Sequence, residues 1–208
     1  MNQHIFNIPY LYNPGILTGR LPDDLLAKVK SVVTHPDART QDKDYSNYLI
    51  GNISGEYRTP EIPELIHYIH DMYFAWRDVY KTPDVPYTID QMWTNYMKKG
   101  DYNPTHNHSG ELAVFVIWIT IPYDIKEEIE YCKKKHPNKE PTNSCFEFIY
   151  TCYDGRMRAN TIHVDRSMEG MITMFPSTIY HTVYPFFTSD KERISIAGNI
   201  RRLDTTRK

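Results

Sequence analysis

The chain has 208 residues, of which 24 are Lys or Arg and 26 are Asp or Glu, and 13% of them are aromatic. This length favours a single domain, and the balanced charge argues against a general nucleic-acid binder or a membrane-surface binder, because both types carry a basic excess. The many aromatic residues also exclude a disordered chain and favour strands.

Two helices are predicted in the N-terminal part of the chain. The first, over residues 22–33, begins with Pro22 and two aspartates, which suit the first turn of a helix, and it carries one apolar face. Residues 35–60 are polar and predict a loop with a short strand at residues 48–53. The second helix, over residues 61–80, has apolar residues at spacings of three and four.

From Pro86 onwards the apolar period changes to two, which is typical of β-strands. Strands that follow one another with few helices between them favour an antiparallel sandwich or barrel, so we predict a mainly β fold with flanking helices. Five strands are predicted, over residues 88–97, 112–122, 146–153, 170–175 and 193–200.

We expect one domain over residues 1–208, because a lone two-helix unit has little core of its own. In this division, residues 1–87 provide helical support and residues 88–200 form the β core. A charged segment at 124–144, with one short helix and a loop, interrupts the strands. It is part of a predicted insert over residues 124–166, which can overhang the mouth if the strands form a barrel, and which is either a solvated loop or a substrate-recognition loop.

Cysteine usage and the lengths of apolar runs indicate the cellular compartment of the protein. Cys132, Cys145 and Cys152 include no CxxC pair and match no zinc-site spacing, so we expect free thiols in a reducing compartment. The N-terminal segment predicts no secretion signal, and the longest apolar run, near residues 112–121, is about half as long as a membrane helix requires. We therefore expect a soluble, cytoplasmic protein that binds no membrane.

Two histidines, His106 and His108, lie between two predicted strands. Side chains two residues apart at a strand end point to the same side, so these imidazoles converge on one point and suit a first-row metal. His181 also lies at a predicted strand end and is the candidate for a third ligand.

An arginine begins the last predicted strand. Arg193 and Ser195 share one face of it, while Ile194 and Ile196 share the other. An arginine among apolar residues requires an anionic partner. That partner is either a ligand carboxylate, held bidentately with help from the hydroxyl, or an Asp or Glu in a structural salt bridge.

With these residues in this order, the sequence resembles the Fe(II)/2-oxoglutarate-dependent oxygenases. More narrowly, it resembles the small, prolyl-hydroxylase-like members that are common in tailed-phage genomes. The resemblance covers about residues 88–200 and implies a double-stranded β-helix, a jelly-roll or cupin-like barrel whose open end holds the metal. It rests on five strings: WTNY at 93–96, HNHSG at 106–110, FPS at 175–177, HTVYP at 181–185 and RISIAGN at 193–199.

The resemblance also implies an activity and its cofactors. Fe(II), 2-oxoglutarate as cosubstrate and O2 would support hydroxylation of a C–H bond, with succinate and CO2 as co-products. The substrate would be a protein side chain of the prolyl type or a small molecule. A phage origin would place the reaction in the host cytoplasm.

Site residues follow from the same resemblance. His106, His108 and His181 would be the iron ligands. Arg193 would bind the far carboxylate of 2-oxoglutarate with help from Ser195. A tyrosine that contacts the cosubstrate in prolyl-hydroxylase-like members would correspond to Tyr96. The catalytic and binding candidates are therefore His106, His108, His181, Arg193, Ser195 and Tyr96.

The histidine pair departs from the usual pattern, in which the second ligand is a carboxylate in an HxD or HxE string. Three neutral imidazoles would leave the iron with its full double charge, which a doubly negative 2-oxoglutarate can compensate. Alternatively, Glu111 is the carboxylate ligand, and His108 lies behind the ligands without contacting the iron.

Two other functions remain open from the sequence. A three-histidine dioxygenase of the cupin type would use iron without 2-oxoglutarate, and such an enzyme has no need for the Arg193 and Ser195 pair. A non-catalytic jelly-roll module would keep the barrel with an idle metal site. Succinate formation separates the first alternative from the oxygenase, and metal content separates the second.

Overall fold

Two antiparallel β-sheets face each other in the computed structural model, which describes residues 13–152 and 154–203. The larger sheet has the strand order β1-β8-β5-β10-β3-β2, and the smaller has the order β4-β9-β6-β7. The strands are β1 (Leu17–Arg20), β2 (Gly55–Arg58), β3 (Tyr87–Met97), β4 (Asn103–His106), β5 (Ala113–Thr120), β6 (Cys145–Thr151), β7 (Met157–His163), β8 (Met171–Pro176), β9 (Tyr180–Val183) and β10 (Arg193–Arg202). The α-helices are α1 (Asp23–Thr34), α2 (Pro63–Tyr80) and α3 (Ile125–Lys135).

The larger sheet buries both of its faces. Its outer face packs against α1 and α2, and its inner face packs against the smaller sheet. Strand β10 shows the alternation, because Ile194 and Ile196 lie in the core with the helices, whereas Ala197 lies in the core between the sheets. Residues at odd positions of β10 therefore point towards the interior between the sheets.

The structure confirms the mainly β fold with flanking helices. Helices α1 and α2 lie within a few residues of their predicted positions, and the short helix predicted in the charged segment is α3. Each of the five predicted strands is present, as β3, β5, β6, β8 and β10. Tyr153, the last residue of the predicted strand at 146–153, lies outside the described residues.

One strand prediction is wrong. Residues 48–53 form no strand, since residues 46–48 are a short 3₁₀ helix and the strand in this region is β2. Pairing decides this, because β2 hydrogen-bonds along β3, with Gly55 opposite Tyr96 and Arg58 opposite Trp93. The paired residues are 35 to 41 positions apart in the chain, so the local sequence pattern does not reveal this pairing.

The segment 124–166 contributes more to the fold than an overhanging insert would. It supplies β6 and β7, and β6 pairs with β9, so two of the four strands of the smaller sheet come from it. The N-terminal part likewise supplies two edge strands of the larger sheet, β1 and β2, besides its helices.

The sequence also led to expectations about the cysteines, membrane helices and a secretion signal. Cys132, Cys145 and Cys152 are free thiols. Among the helices that the structure describes, none is long and apolar enough to cross a membrane. Most of the N-terminal segment, for which no secretion signal is predicted, lies outside the described residues.

A buried carboxylate, Glu128, fastens α3 to the loop that precedes β10. Its side chain is fully buried, and one oxygen accepts hydrogen bonds from the backbone N–H groups of Phe187 (2.8 Å) and Thr188 (2.6 Å). The other oxygen accepts a hydrogen bond from the Asn143 side-chain amide. This loop also carries Phe186, so the anchoring bears on the candidate site described below.

We expect Glu128→Gln to lower the free energy of unfolding by about 2 to 4 kcal/mol, because an amide N–H₂ would face N–H donors in a buried site. Urea denaturation followed by circular dichroism measures the loss. Glu127→Gln, an exposed neighbour on the same helix, is the matched control and should lie within about 0.5 kcal/mol of the wild type. Equal denaturation midpoints for the two variants would contradict the anchoring role.

Candidate active site

Three histidines meet at one end of the smaller sheet. His106 on β4 and His181 on β9 are directly opposite each other in register, and their ring centroids are 4.2 Å apart. His108 follows two residues after His106, with ring centroids 5.1 Å from His106 and 5.3 Å from His181. The candidate ligand atoms of the three side chains all lie within 4.8 Å of one another. This arrangement can hold one metal ion.

Backbone carbonyls orient two of these rings. The Nδ1 atom of His106 donates to the Pro104 carbonyl oxygen at 2.7 Å, and that of His181 donates to the Ile179 carbonyl oxygen at 3.3 Å. A carbonyl only accepts hydrogen bonds, so each Nδ1 carries the proton and each Nε2 keeps its lone pair. Metal-binding histidines in proteins are commonly held in this way.

All three imidazoles are held in their neutral form. Burial lowers the pKa of His108 to about 4, with a smaller contribution from repulsion by His106. Burial also lowers the pKa of His106, and it lowers the pKa of His181 well below the ordinary value, again with repulsion from the other two rings. Neutral imidazole is the form that coordinates a metal.

These shifted pKa values predict a pH-dependent stability for the metal-free protein. Between the unfolded value of 6.5 and the folded value of about 4 for His108, the unfolded chain binds more protons than the folded protein. The free energy of unfolding is therefore expected to fall by about 3 kcal/mol from His108 alone as the pH drops through this window. Urea denaturation between pH 4 and pH 7 measures the slope.

A matched pair of variants isolates this contribution. His108→Gln should flatten the slope, whereas His67→Gln, which replaces an exposed histidine on α2, should leave it unchanged. A wild-type slope that persists in His108→Gln would show that other groups cause the acid sensitivity.

Arg193 is a buried cation without an anionic partner in the part of the chain that the structure describes. Its side chain is 2% exposed, and its guanidinium donates to the Tyr123 hydroxyl at 3.3 Å, the Tyr184 carbonyl at 3.2 Å and the Met97 sulfur at 3.1 Å. The Phe186 ring covers it from 5.5 Å. No carboxylate oxygen of a described residue lies within salt-bridge distance of it, so the structural salt bridge that the sequence left open is absent among these residues.

The histidines and Arg193 line one narrow cavity between the two sheets, with a volume of about 40 Å³. Ser195 and Asn95 line it as well, and the Asn95 amide donates to the Ser195 hydroxyl at 3.4 Å. The Asn95 side-chain carbonyl oxygen is buried without a hydrogen-bond partner among the described residues. The remaining polar and apolar wall includes Trp93, Met97, Asn103, Trp118 and Phe146.

The expectation for Tyr96 needs correction, because its side chain lies on the other face of β3. Its hydroxyl donates to the Val33 carbonyl of α1 at 2.6 Å, and the Arg39 guanidinium covers its ring at 3.7 Å. Successive strand residues point to opposite faces, so Asn95 and Met97 face the cavity and Tyr96 faces the helices. Tyr96 therefore packs behind the site and does not line it.

Glu111 is separate from the histidine cluster. Its carboxylate lies 3.7 Å from the Arg201 guanidinium, and it is not among the groups that could share a metal with the histidines. Burial raises the pKa of Glu111, opposed by the charge of Arg201. Of the two residues that the sequence left open, the structure brings His108 to the other histidines.

Sequence reasoning missed several cavity residues. Asn199 has a detectable signal, since it lies an even number of residues from Arg193 on the same strand. Asn95 has none, because residues 92–97 of β3 are all buried and their burial does not alternate. Asn199 lies on β10 beside His108, and its own side-chain amide donates to Gln91 at 3.3 Å. Tyr123, which bonds to Arg193, has no such signal, because it follows the end of β5 and its direction depends on the loop.

Solved structures support the fold at low sequence identity. A Pseudomonas putida prolyl-4-hydroxylase has 14% identity and a TM-score of 0.58, and the match covers 91% of this chain and 94% of the hydroxylase. A Trichoplax adhaerens prolyl hydroxylase, solved with a hypoxia-inducible-factor peptide, has 11% identity and a TM-score of 0.58, with coverages of 91% and 84%. The α-ketoglutarate-dependent carbocyclase SnoK of nogalamycin biosynthesis has 10% identity and a TM-score of 0.60, with coverages of 92% and 81%.

These structures share the double-stranded β-helix, so the likeness confirms that fold for this chain. A search of curated protein sequences returns no match. The sequence does match the family model described as "Putative 2OG-Fe(II) oxygenase" over residues 91–199, just over half of the 208-residue chain. That span contains all three clustered histidines, Arg193 and Ser195. The chain therefore belongs to this 2OG-Fe(II) oxygenase family, and it is an oxidoreductase whose family uses Fe(II), 2-oxoglutarate and O2.

Proposed function

We propose that this oxygenase hydroxylates a C–H bond of a protein side chain or a small molecule, and that it converts 2-oxoglutarate and O2 to succinate and CO2. His106, His108 and His181 hold the iron, and Arg193 binds the far carboxylate of 2-oxoglutarate. One observation carries the proposal: a buried guanidinium without a carboxylate partner among the described residues lines the same cavity as three neutral histidines.

The donor set fits the metal. Imidazole nitrogens suit Fe(II), and at least two of the three rings keep a lone pair on Nε2 because their Nδ1 atoms donate to carbonyls. Three neutral ligands leave the double charge of the ion in place, and the cosubstrate has two carboxylates to balance it. Bound together, iron(II), 2-oxoglutarate and O2 supply the oxidation, while the protein supplies geometry and a dry cavity.

Arg193 and its neighbours select the cosubstrate. The planar guanidinium matches the two oxygens of a carboxylate, and Ser195, two residues along the same strand face, offers a hydroxyl to the same group. Asn95 holds that hydroxyl in place. Trp93 and Trp118 form apolar walls that exclude water from the cavity.

Binding requires Met97 to move. The Met97 sulfur occupies one hydrogen-bonding position of Arg193 that a bound carboxylate would need. Methionine has three rotatable bonds and repacks readily, so it can vacate this position at low cost. The carboxylate then replaces a weak sulfur acceptor with a charged one.

The class of substrate is supported by the folds that resemble this one. Two of the similar structures are named as prolyl hydroxylases, and one of them holds a protein-derived peptide. The third is named as a carbocyclase of a biosynthetic route. A protein side chain is therefore the leading class, and a small molecule is the second.

Anaerobic reconstitution with Fe(II) and 2-oxoglutarate tests the proposal directly. We expect a weak visible charge-transfer band from the iron-bound cosubstrate, and its loss in His106→Ala. On admitting O2, succinate should form. Iron binding without the band and without succinate would instead support a three-histidine dioxygenase, and no iron binding at all would overturn the assigned ligand set.

A pair of variants separates His108 from Glu111 as the third ligand. His108→Ala is expected to weaken Fe(II) binding by at least about 10- to 100-fold. This is the loss in metal affinity on mutating a residue that only hydrogen-bonds to a metal ligand, and loss of the ligand itself should cost no less. Glu111→Gln is expected to keep the wild-type affinity, because its carboxylate lies beside Arg201. Anaerobic titration calorimetry measures both, and the reverse ranking would assign the ligand to Glu111.

A further inference from the structure

A second cavity opens beside the histidines, and the proposed chemistry does not use it. It has a volume of about 250 Å³ and shares His106, His108 and Trp93 with the inner cavity. Its far wall consists of Glu56 on β2 and the loop with Tyr45 and Tyr48. A substrate bound there would lie directly against the proposed metal ligands.

Glu56 lines this second cavity, and one of its oxygens has no partner in the part of the chain that the structure describes. It is directly opposite Asn95 in the pairing of β2 with β3, and opposite residues in an antiparallel pair share a face. Asn95 lines the inner cavity, so Glu56 is on the inner face as well. The Glu56 side chain is 2% exposed, and its Oε1 atom has no hydrogen-bond partner among the described residues.

The loop approaches this carboxyl closely at a glycine. A Cβ atom at Gly51 would lie 2.7 Å from Glu56 Oε1, so a larger residue there would push the Glu56 carboxyl aside. Backbone pairing holds the loop there, since Asn52 and Tyr102 exchange hydrogen bonds of 2.9 and 3.2 Å. The enclosure of a carboxyl oxygen without a donor is costly, and it indicates that a donor from outside completes the site.

The charges around Glu56 favour a cationic donor. Burial, together with the carboxylates of Asp44 and Asp101, raises the pKa of Glu56 to about 7. Asp101 accepts hydrogen bonds from the backbone N–H groups of Ser54 and Lys98, which fix the position of its carboxyl group. Among the described residues that line the cavity, none is Lys or Arg. A positive charge in the cavity would stabilise the ionised form of Glu56.

Aromatic rings add to this preference. The ring of Tyr45 is 5.0 Å from that of Tyr48 and 6.2 Å from that of Trp93, measured between centroids. Ring faces attract ammonium and guanidinium groups. The Arg58 guanidinium already lies over the Tyr45 ring at 4.8 Å, and the His108 ring stacks on Trp93 at 5.9 Å, so Tyr48 is the ring that remains for a cation of the substrate.

We propose that Glu56 is a substrate-recognition residue, and that the substrate presents a protonated amine or guanidinium to it beside the carbon that is oxidised. This inference rests on the proposed function. The group fits a lysine or arginine side chain of a protein, or a free basic amino acid. Two of the similar structures are named as prolyl hydroxylases, and a prolyl side chain carries no basic group. A binding assay therefore separates a basic substrate from a prolyl substrate.

Matched probes separate charge from shape. Blocked lysine is compared with blocked norleucine, and blocked arginine with blocked citrulline, while blocked proline represents the alternative class and free lysine and arginine represent amino-acid substrates. Binding is measured by ligand-observed NMR on the anaerobic protein with Fe(II) and 2-oxoglutarate, and succinate formation is measured after O2 is admitted. The variants are Glu56→Gln and, as a control, the exposed Glu127→Gln.

We expect the basic probes to bind the wild type and Glu127→Gln roughly 10- to 100-fold more tightly than their neutral partners, as for a charge-assisted hydrogen bond. Glu56→Gln should lose this difference and keep the charge-transfer band. Equal binding of basic and neutral probes, a preference for proline, or no binding of any basic probe would overturn the inference. Absence of the band in the wild type would be a failure of the proposed function instead, so the two failures are distinguishable.

Discussion

Arg193→Met is expected to weaken 2-oxoglutarate binding at least ~100-fold, because two charge-assisted hydrogen bonds are lost and each contributes about 1.5 to 3 kcal/mol. Its stability should remain within about 1 kcal/mol of the wild type, since an apolar side chain of similar length replaces a buried ion that lacks a counter-ion among the described residues. This combination distinguishes a binding residue from a structural one. A structural arginine would show the opposite result, with lost stability and intact binding.

Anaerobic calorimetry with 2-oxoglutarate measures the affinity, and urea denaturation measures the stability. Arg202→Met is the matched control, because it replaces an exposed arginine on the same strand, β10. It should bind 2-oxoglutarate like the wild type. If Arg193→Met also bound the cosubstrate with wild-type affinity, the carboxylate would have to be held elsewhere in the cavity.

His181→Ala is the second change with a large expected effect, and it should weaken Fe(II) binding by more than about 100-fold and abolish succinate formation. Loss of a direct ligand exceeds the 10- to 100-fold cost of altering the groups behind one. His181 also packs on Phe175 and Phe146, at centroid distances of 5.0 and 5.6 Å, so the variant leaves a cavity. Denaturation of the metal-free variant therefore belongs to the same experiment.

His67→Ala is the control for this variant, since its side chain is exposed on α2. It should bind Fe(II) and turn over 2-oxoglutarate at wild-type levels. A folded His181→Ala protein that still bound Fe(II) tightly would show that two histidines and another group suffice, and it would remove His181 from the ligand set.

The charge of the site links these predictions. A bound metal ion and Arg193, which has no carboxylate partner among the described residues, would make the inner cavity positive, whereas Glu56, Asp44 and Asp101 place carboxyl groups on the side of the outer cavity. We therefore expect the dianionic cosubstrate in the inner cavity and the cationic substrate in the adjoining outer cavity. The cosubstrate and the substrate would therefore not compete for the same binding site.

The local pattern of the sequence was sufficient for the elements and for part of the site. A period of two over residues 88–97 and 193–200 predicts β3 and β10, and the same alternation places Arg193 and Ser195 on one face. The two-residue spacing of His106 and His108 predicts their convergence. These inferences succeed because they depend on backbone geometry within a few residues, which any strand shares.

Other features depended on which face of each strand is packed against which layer. In β5 every residue from Ala113 to Ile119 is buried, so its sequence cannot tell the inner face from the outer. For the same reason the sequence could not tell that Tyr96 faces α1 while Asn95 faces the cavity. The resemblance to prolyl-hydroxylase-like proteins assigned the tyrosine to the cosubstrate, and packing assigned it to the helices.

The sequence by itself determined the helices, most of the strands, the histidine pair and the shared face of Arg193 and Ser195. Only the tertiary structure decided that His106 lies opposite His181, that β2 rather than residues 48–53 is the strand, and that Glu56 lines a cavity with His106 and His108. The physical reason is that these facts are set by hydrogen-bond register between strands far apart in the chain. Register depends on which face of each strand is buried, and the sequence around one strand does not identify its distant partner.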